Sequence, residues 1–147
     1  MEQFDQIDIL LVEDNALDAE LTMVSLKDQK LANNIIWLKD GEQALDYLFR
    51  RGEYAARTDP GPRLILLDLK MPRVDGVEVL RAIKADEQLR RVPVVMMTSS
   101  HEESDVVRCY DLGVNSYVVK PVDFGALGQV VHQAGFYWLM INRPPPG

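Results

Sequence analysis

The residues with the clearest chemical capacity in this chain are the adjacent acids Glu13 and Asp14, a third acid at Asp68, a hydroxyl at Thr98 and an ammonium at Lys120. Each stands at the end of a short apolar run. Taken singly, a polar residue in that place is an ordinary cap or turn former. Taken together, three carboxylates brought to one place repel, and the repulsion is relieved by a proton on one of them or by a cation. Oxygen ligands with open positions suit a hard ion such as Mg²⁺, which keeps several waters and takes one or two carboxylates plus a phosphate oxygen. No His or Cys stands in these motifs, which disfavours zinc. A Lys ammonium is a point charge for phosphoryl oxygens, and a Thr hydroxyl can donate to them. Such a set stabilises charge on a phosphoryl group in transfer, and a carboxylate can itself be the nucleophile that accepts it.

The elements that must gather these groups are five apolar runs, at residues 7–12, 34–38, 64–68, 92–98 and 116–120. Most are rich in Val, Ile and Leu without alternation, as in parallel strands covered on both faces. Amphipathic stretches lie between them. Asp40 with Gln43, Asp75 with Glu78 and Ser100 with Glu103 have the spacing of reciprocal helix N-terminal caps. After Asp75, Val77, Leu80 and Ile83 recur at helical spacing while Arg81, Asp86 and Glu87 fall on the wetter side. The alternation predicts an open parallel α/β sheet with right-handed crossovers. Ligands of such sheets bind beyond the carboxyl ends of the strands, where the acids, Thr98 and Lys120 fall. Segment 52–62, with two prolines, two glycines and several charges, reads as a surface loop.

The motifs Leu11-Val12-Glu13-Asp14-Asn15, Leu66-Leu67-Asp68-Leu69-Lys70-Met71-Pro72, Met97-Thr98-Ser99 and Lys120-Pro121 resemble, in order and spacing, those of two-component response-regulator receiver domains. The likeness spans residues 7–142. It implies a flavodoxin-like, doubly wound (βα)5 fold, with residues 1–142 as receiver and 143–147 as tail. It also implies roles. Asp68 would be the phosphoacceptor, Asp14 a direct metal ligand, Glu13 a ligand through water, and the backbone carbonyl of Lys70 a further ligand. The ion would be Mg²⁺, with Mn²⁺ or Ca²⁺ as substitutes. Lys120 and Thr98 would engage the phosphoryl group, as would the backbones of Leu69 and Ser99. Tyr117 would be the switch aromatic, and Lys120-Pro121 a cis peptide. Lys70 and Ser100, which flank the site, would tune dephosphorylation. Beyond self-phosphorylation and autodephosphorylation, no enzymatic activity is implied. Segment 50–62 and the stretch 131–146, with Tyr137-Trp138, Asn142 and Pro144, resemble more narrowly the single-domain regulators of bacterial and cyanobacterial phytochrome histidine kinases. The partners implied are such a kinase and, for a shuttle, a histidine phosphotransfer protein.

Composition sets bounds on the rest. At 147 residues, with 47% apolar content, the chain is long enough for one core. A net charge of −7 without a basic cluster argues against direct DNA binding. No apolar stretch reaches membrane-span length, and a cytoplasmic location is expected. Cys109 is the sole cysteine and reads as a small hydrophobe; His101 and His132 read as surface or packing residues. In the last helix, Phe124, Leu127, Val131, Ala134, Trp138 and Ile141 form the expected core stripe. Val130, Phe136, Tyr137 and Met140 lie off it, which predicts a homodimer through this helix and the adjoining strand face. Two rivals are weaker. A haloacid-dehalogenase-like phosphotransferase needs an acid where Asp68-Leu69-Lys70 has Lys, and a flavin or nucleotide binder needs glycine where the first turn is acidic.

Overall fold

In the computed structural model, residues 7–28, 30–32 and 34–145 are described. The expectations for the first six residues and for the last two of the tail lie outside them. Five parallel strands, β1 (Ile9–Val12), β2 (Ile35–Leu38), β3 (Leu64–Leu67), β4 (Val94–Thr98) and β5 (Ser116–Val119), form one sheet in the order β2-β1-β3-β4-β5. Helices α1 (Ala16–Asp28), α2 (Gly41–Leu48), α3 (Gly76–Ala85), α4 (Glu103–Asp111) and α5 (Phe124–Phe136) make the crossovers. The expected doubly wound, flavodoxin-like fold is the one observed. The registers place Val12 beside both Leu38 and Leu67, and Thr98 beside Val119, so that neighbouring strands end level.

The unalternating apolar runs are explained by burial on both faces. β1, β3 and β4 are buried throughout, whereas the edge strands β2 and β5 are only partly covered. One core layer, with Leu10, Ile65, Leu80 and Met96, lies under α2, α3 and α4. The other, with Leu11, Leu66, Leu127 and Val131, lies under α1 and α5.

In two of the three expected pairs the cap side chain binds as expected but the return bond does not form, the Gln43 side chain accepting the Lys39 N–H at 3.0 Å and not that of Asp40. Asp40 accepts the Gln43 N–H at 2.8 Å and Asp75 accepts the Glu78 N–H at 3.1 Å. Ser100 does not cap: α4 starts after Glu102, and the Ser100 hydroxyl instead donates to the buried Asp105 carboxylate at 2.6 Å. An ionised acceptor makes the stronger hydrogen bond, and it draws the hydroxyl away from the free helix N–H groups.

The last helix departs from its predicted stripe. Leu127, Val131, Gly135 and Leu139 face the core, whereas Phe124 and Ile141 are exposed. Phe124 opens the helix and lies before any distortion, but from Tyr137 onward the phase is shifted by a π-helical turn over Tyr137–Ile141, closed by the Asn142 N–H on the Tyr137 carbonyl at 2.7 Å. Widening the turn rotates every later residue, so Leu139 takes the inward place assigned to Ile141. Close packing also depends on Gly135, where a Cβ would meet Leu26 Cδ2 at 2.7 Å.

Candidate functional site

Because the strands end level, the residues that follow them meet. Glu13 continues β1, its N–H held by the Leu38 carbonyl at 3.0 Å, and Asp68 continues β3, its N–H held by the Val12 carbonyl at 2.9 Å. Ligand oxygens of Glu13, Asp14 and Asp68 lie within 4.8 Å of one another. Glu13 and Asp68 are buried, while Asp14 faces solvent. Across them, the Lys120 N–H donates to the Thr98 carbonyl at 2.7 Å, fixing the root of the lysine. Its ammonium reaches Glu13 Oε1 at 2.6 Å and stands 3.7 Å from Asp68 Oδ2. Thr98 is buried, and its Oγ1 accepts the Ser100 N–H at 3.3 Å. These groups, with Asn15, Asp18, Lys70 and Ser99, line a cleft of about 350 Å³.

The loop after β3 folds back tightly enough to shape this cleft. The Gly76 N–H donates to the Leu69 carbonyl at 2.7 Å, and a Cβ at Gly76 would lie 2.1 Å from the Asp68 carbonyl oxygen. Only a residue without a side chain permits that approach. Within the loop the Leu69 N–H binds Asp68 Oδ1 at 2.8 Å, leaving Oδ2 toward Lys120.

The electrostatics follow from crowding. Burial, reinforced by the charge of Asp68, pushes the Glu13 carboxyl up to about 7 despite its bond to Lys120. Burial also raises the Asp68 carboxyl, against the opposing pull of Lys120. For Lys120, burial alone would favour the neutral amine. Its hydrogen bond to Glu13 and the charges of Asp68 and Glu13 outweigh that and raise its pKa. One ammonium is thus too little for the carboxylates around it. An all-oxygen donor set with surplus negative charge fits a hard divalent cation, which would compete with the proton that burial favours on Glu13.

Glu13, Asp14, Asp68, Thr98 and Lys120 are brought together as expected, and Lys70 and Ser99 line the same cleft, both exposed. Tyr117 is half-buried against the core, and its hydroxyl donates to the Ser100 carbonyl at 2.9 Å. The Lys120–Pro121 peptide is trans, as are all described peptides, which corrects the expectation of a cis bond. Trans is the lower-energy form of an X-Pro bond by about 0.5–1 kcal/mol. His101 and His132 do not line the cleft, and Cys109 is buried. Two participants were not anticipated. Asp18 in α1 pairs with the Lys120 ammonium at 3.0 Å, and the Trp37 indole N–H donates to the Glu13 carbonyl at 2.8 Å. Asp18 had a weak sequence signal, three residues after Asn15 in a cap-like spacing. Trp37 had none, because its role depends on β2 lying beside β1.

Residues 9–132 match the response regulator receiver domain family, and the chain belongs to it. Within the family it is similar to single-domain regulators. It is 46% identical over 99% of its length to the probable methanogenesis regulatory protein FilR2 of Methanothrix harundinacea (strain 6Ac), covering 92% of that protein. It is 43% identical over 89% of its length to the response regulator Rcp1 of Synechocystis sp. (strain ATCC 27184 / PCC 6803 / Kazusa), covering 88% of it. The phosphorylated cyanobacterial phytochrome response regulator RcpA superposes with a TM-score of 0.89 at 39% identity, over 96% of this chain and 99% of that one. The Mn²⁺-bound form of Rcp1 gives 0.88 at 41%, over 95% and 99%. The bacteriophytochrome response regulator RtBRR gives 0.75 at 54%, over 97% and 86%. The haloacid-dehalogenase-like alternative finds no support in these likenesses. No helix among the described residues is long and apolar enough to cross a membrane.

Proposed function

We propose that this response regulator takes a phosphoryl group from a histidine kinase onto Asp68 Oδ2. The observation that carries the reading is the convergence of three carboxylates within 4.8 Å of each other, with Lys120 3.7 Å from Asp68. In the transfer, a new O–P bond forms at Oδ2 as the P–N bond of the phosphohistidine breaks and the imidazole leaves. Oδ1 is held by Leu69, which orients the carboxylate for that attack. The Thr98 hydroxyl, which is an acceptor toward Ser100, keeps its own proton to donate to a phosphoryl oxygen. Lys120 supplies positive charge, and the backbone N–H of Ser99 is a further donor, joined by that of Leu69 if it turns from Oδ1 to the phosphoryl group. Glu13, Asp14, Asp68 and the Lys70 carbonyl would hold Mg²⁺, or Mn²⁺ or Ca²⁺ in its place, which neutralises charge on the phosphoryl oxygens when bound. Tyr117 reads the change through its bond to Ser100, the residue that also holds Thr98.

Incubation with a small acyl phosphate and Mg²⁺ is expected to give a hydroxylamine-labile label on the wild type. Neither Asp68→Asn nor a chelated sample should acquire it, and persistent label on the Asn variant would overturn the assignment.

A phytochrome as that kinase is supported by the likeness to RcpA and RtBRR. Such a kinase acts in the cytoplasm. The signal leaves through protein contact or a histidine phosphotransfer protein. Phosphotransfer profiling against a panel of kinases that includes a phytochrome tests the partner. A homodimer through the end of α5 and the β5 face is supported by the exposure of Val119 (41%), Phe136 (44%), Tyr137 (46%) and Met140 (61%). Sedimentation of the unphosphorylated and phosphorylated protein should show a dimer in at least one state at micromolar concentration.

A further inference from the structure

Asp18 occupies the third position of α1, the place from which a Glu or Gln side chain turns back to the N–H of the capping residue in a capping box. Here the cap is Asn15, whose Oδ1 accepts the Asp18 N–H at 3.0 Å. The Asn15 N–H is already taken by Glu13 Oε2 at 3.0 Å. Relieved of that bond, the Asp18 carboxylate reaches across the cleft to Lys120 at 3.0 Å. An ammonium has three donors. Glu13 and Asp18 occupy two at 2.6 and 3.0 Å, and Asp68, at 3.7 Å, lies beyond hydrogen-bond reach. The pair is shielded, with side-chain exposures of 9% for Lys120 and 21% for Asp18.

We propose that Asp18 is a positioning residue that restrains Lys120 short of Asp68 in the unphosphorylated protein, so that closing on a phosphoryl group there pulls the ammonium against its bond to α1. This rests on the reading of Asp68 as phosphoacceptor. An interaction made in the ground state and surrendered in the transition state subtracts from the rate. Asp18 therefore acts as a brake on phosphorylation, and the first turn of α1 carries a contact whose presence reports that Asp68 is empty.

The test is labelling of full-length protein by a small acyl phosphate at saturating Mg²⁺. Asp18→Asn keeps the shape but not the charge, and it should raise the saturating rate by about threefold to tenfold, with a smaller change in the half-saturating donor concentration. Asp18→Glu should return the rate toward wild type. Glu20→Gln removes an equal charge from the exposed surface of α1 and should leave the rate unchanged. In a Lys120→Met background, Asp18→Asn should give no gain, because the group it restrains is gone. A wild-type rate for Asp18→Asn, or an equal gain in the Glu20 variant or the Lys120→Met background, overturns the restraint. Absence of label on the wild type overturns the phosphoacceptor reading beneath it, a distinguishable result.

Discussion

Two aspartates before and after β3 show opposite solutions to the same problem. Asp59, in the loop that leads into the strand, is gripped by Arg57 through two bonds of 2.8 Å and by the Gly61 N–H at 3.1 Å. The Arg57 hydrogen bonds outweigh burial and hold its carboxyl below the ordinary value. Asp68, at the strand's other end, is buried beside two acids and shifted upward. Arg57 also lies 3.9 Å over the Tyr47 ring, so segment 52–62 is a braced loop and not a slack insertion. The difference is one of balance: satisfied charge builds structure, whereas negative charge left in excess forms a cluster that could hold a cation.

Exchanging the two aspartates' chemistry is the strongest way to break this comparison. Asp68→Asn should lose all phosphoryl label and yet melt at a higher temperature without metal, because a repelling charge is gone. Asp59→Asn should keep its label and melt lower. A destabilised Asp68→Asn protein would remove the contrast.

The next effect is in pH. Glu13 is raised in the folded state to about 7 from 4.5, so between those values the folded chain binds more protons than the unfolded chain. Metal-free stability should therefore fall as pH rises from about 4.5 to 7, by one to a few kcal/mol. Saturating Mg²⁺, or Glu13→Gln, should flatten the dependence in denaturant titrations. A curve that rises through the same window would contradict the crowding account.

The smallest effect belongs to the braced loop. Asp59 is lowered from 3.8, so its stabilisation is present above that value and lost as pH falls through the depressed folded pKa. At neutral pH, Asp59→Asn should cost about 1–2 kcal/mol in urea unfolding, because Arg57 loses its ionic partner and keeps its stacking on Tyr47. Labelling should be insensitive to it.

Much of the site was legible because its chemistry sits at predictable places. A parallel strand announces itself by an unbroken apolar run, and the first polar residue after it must fall at the sheet's carboxyl edge. That logic found Glu13, Asp14, Asp68, Thr98 and Lys120. It failed where a side chain had a choice of partners. Ser100 had the spacing of a cap but met a buried carboxylate, and Pro121 had the context expected of a cis bond but follows a trans one. In α5 the stripe failed at Phe124, left exposed in the first turn, held at Leu127 and Val131, and then passed to Gly135 and Leu139 on entering a π turn that no residue type marks.

Local order along the chain determined the five strands, the helices between them and the identities of the acids, the hydroxyl and the lysine. These follow from burial and from backbone hydrogen bonding, which act on short stretches. Tertiary structure alone decided where the Lys120 ammonium goes. Its long side chain can reach several carboxylates. Its 3.0 Å contact with Asp18 is made where the α1 crossover brings Asp18 to the cleft, beside an Asn15 N–H already held by Glu13.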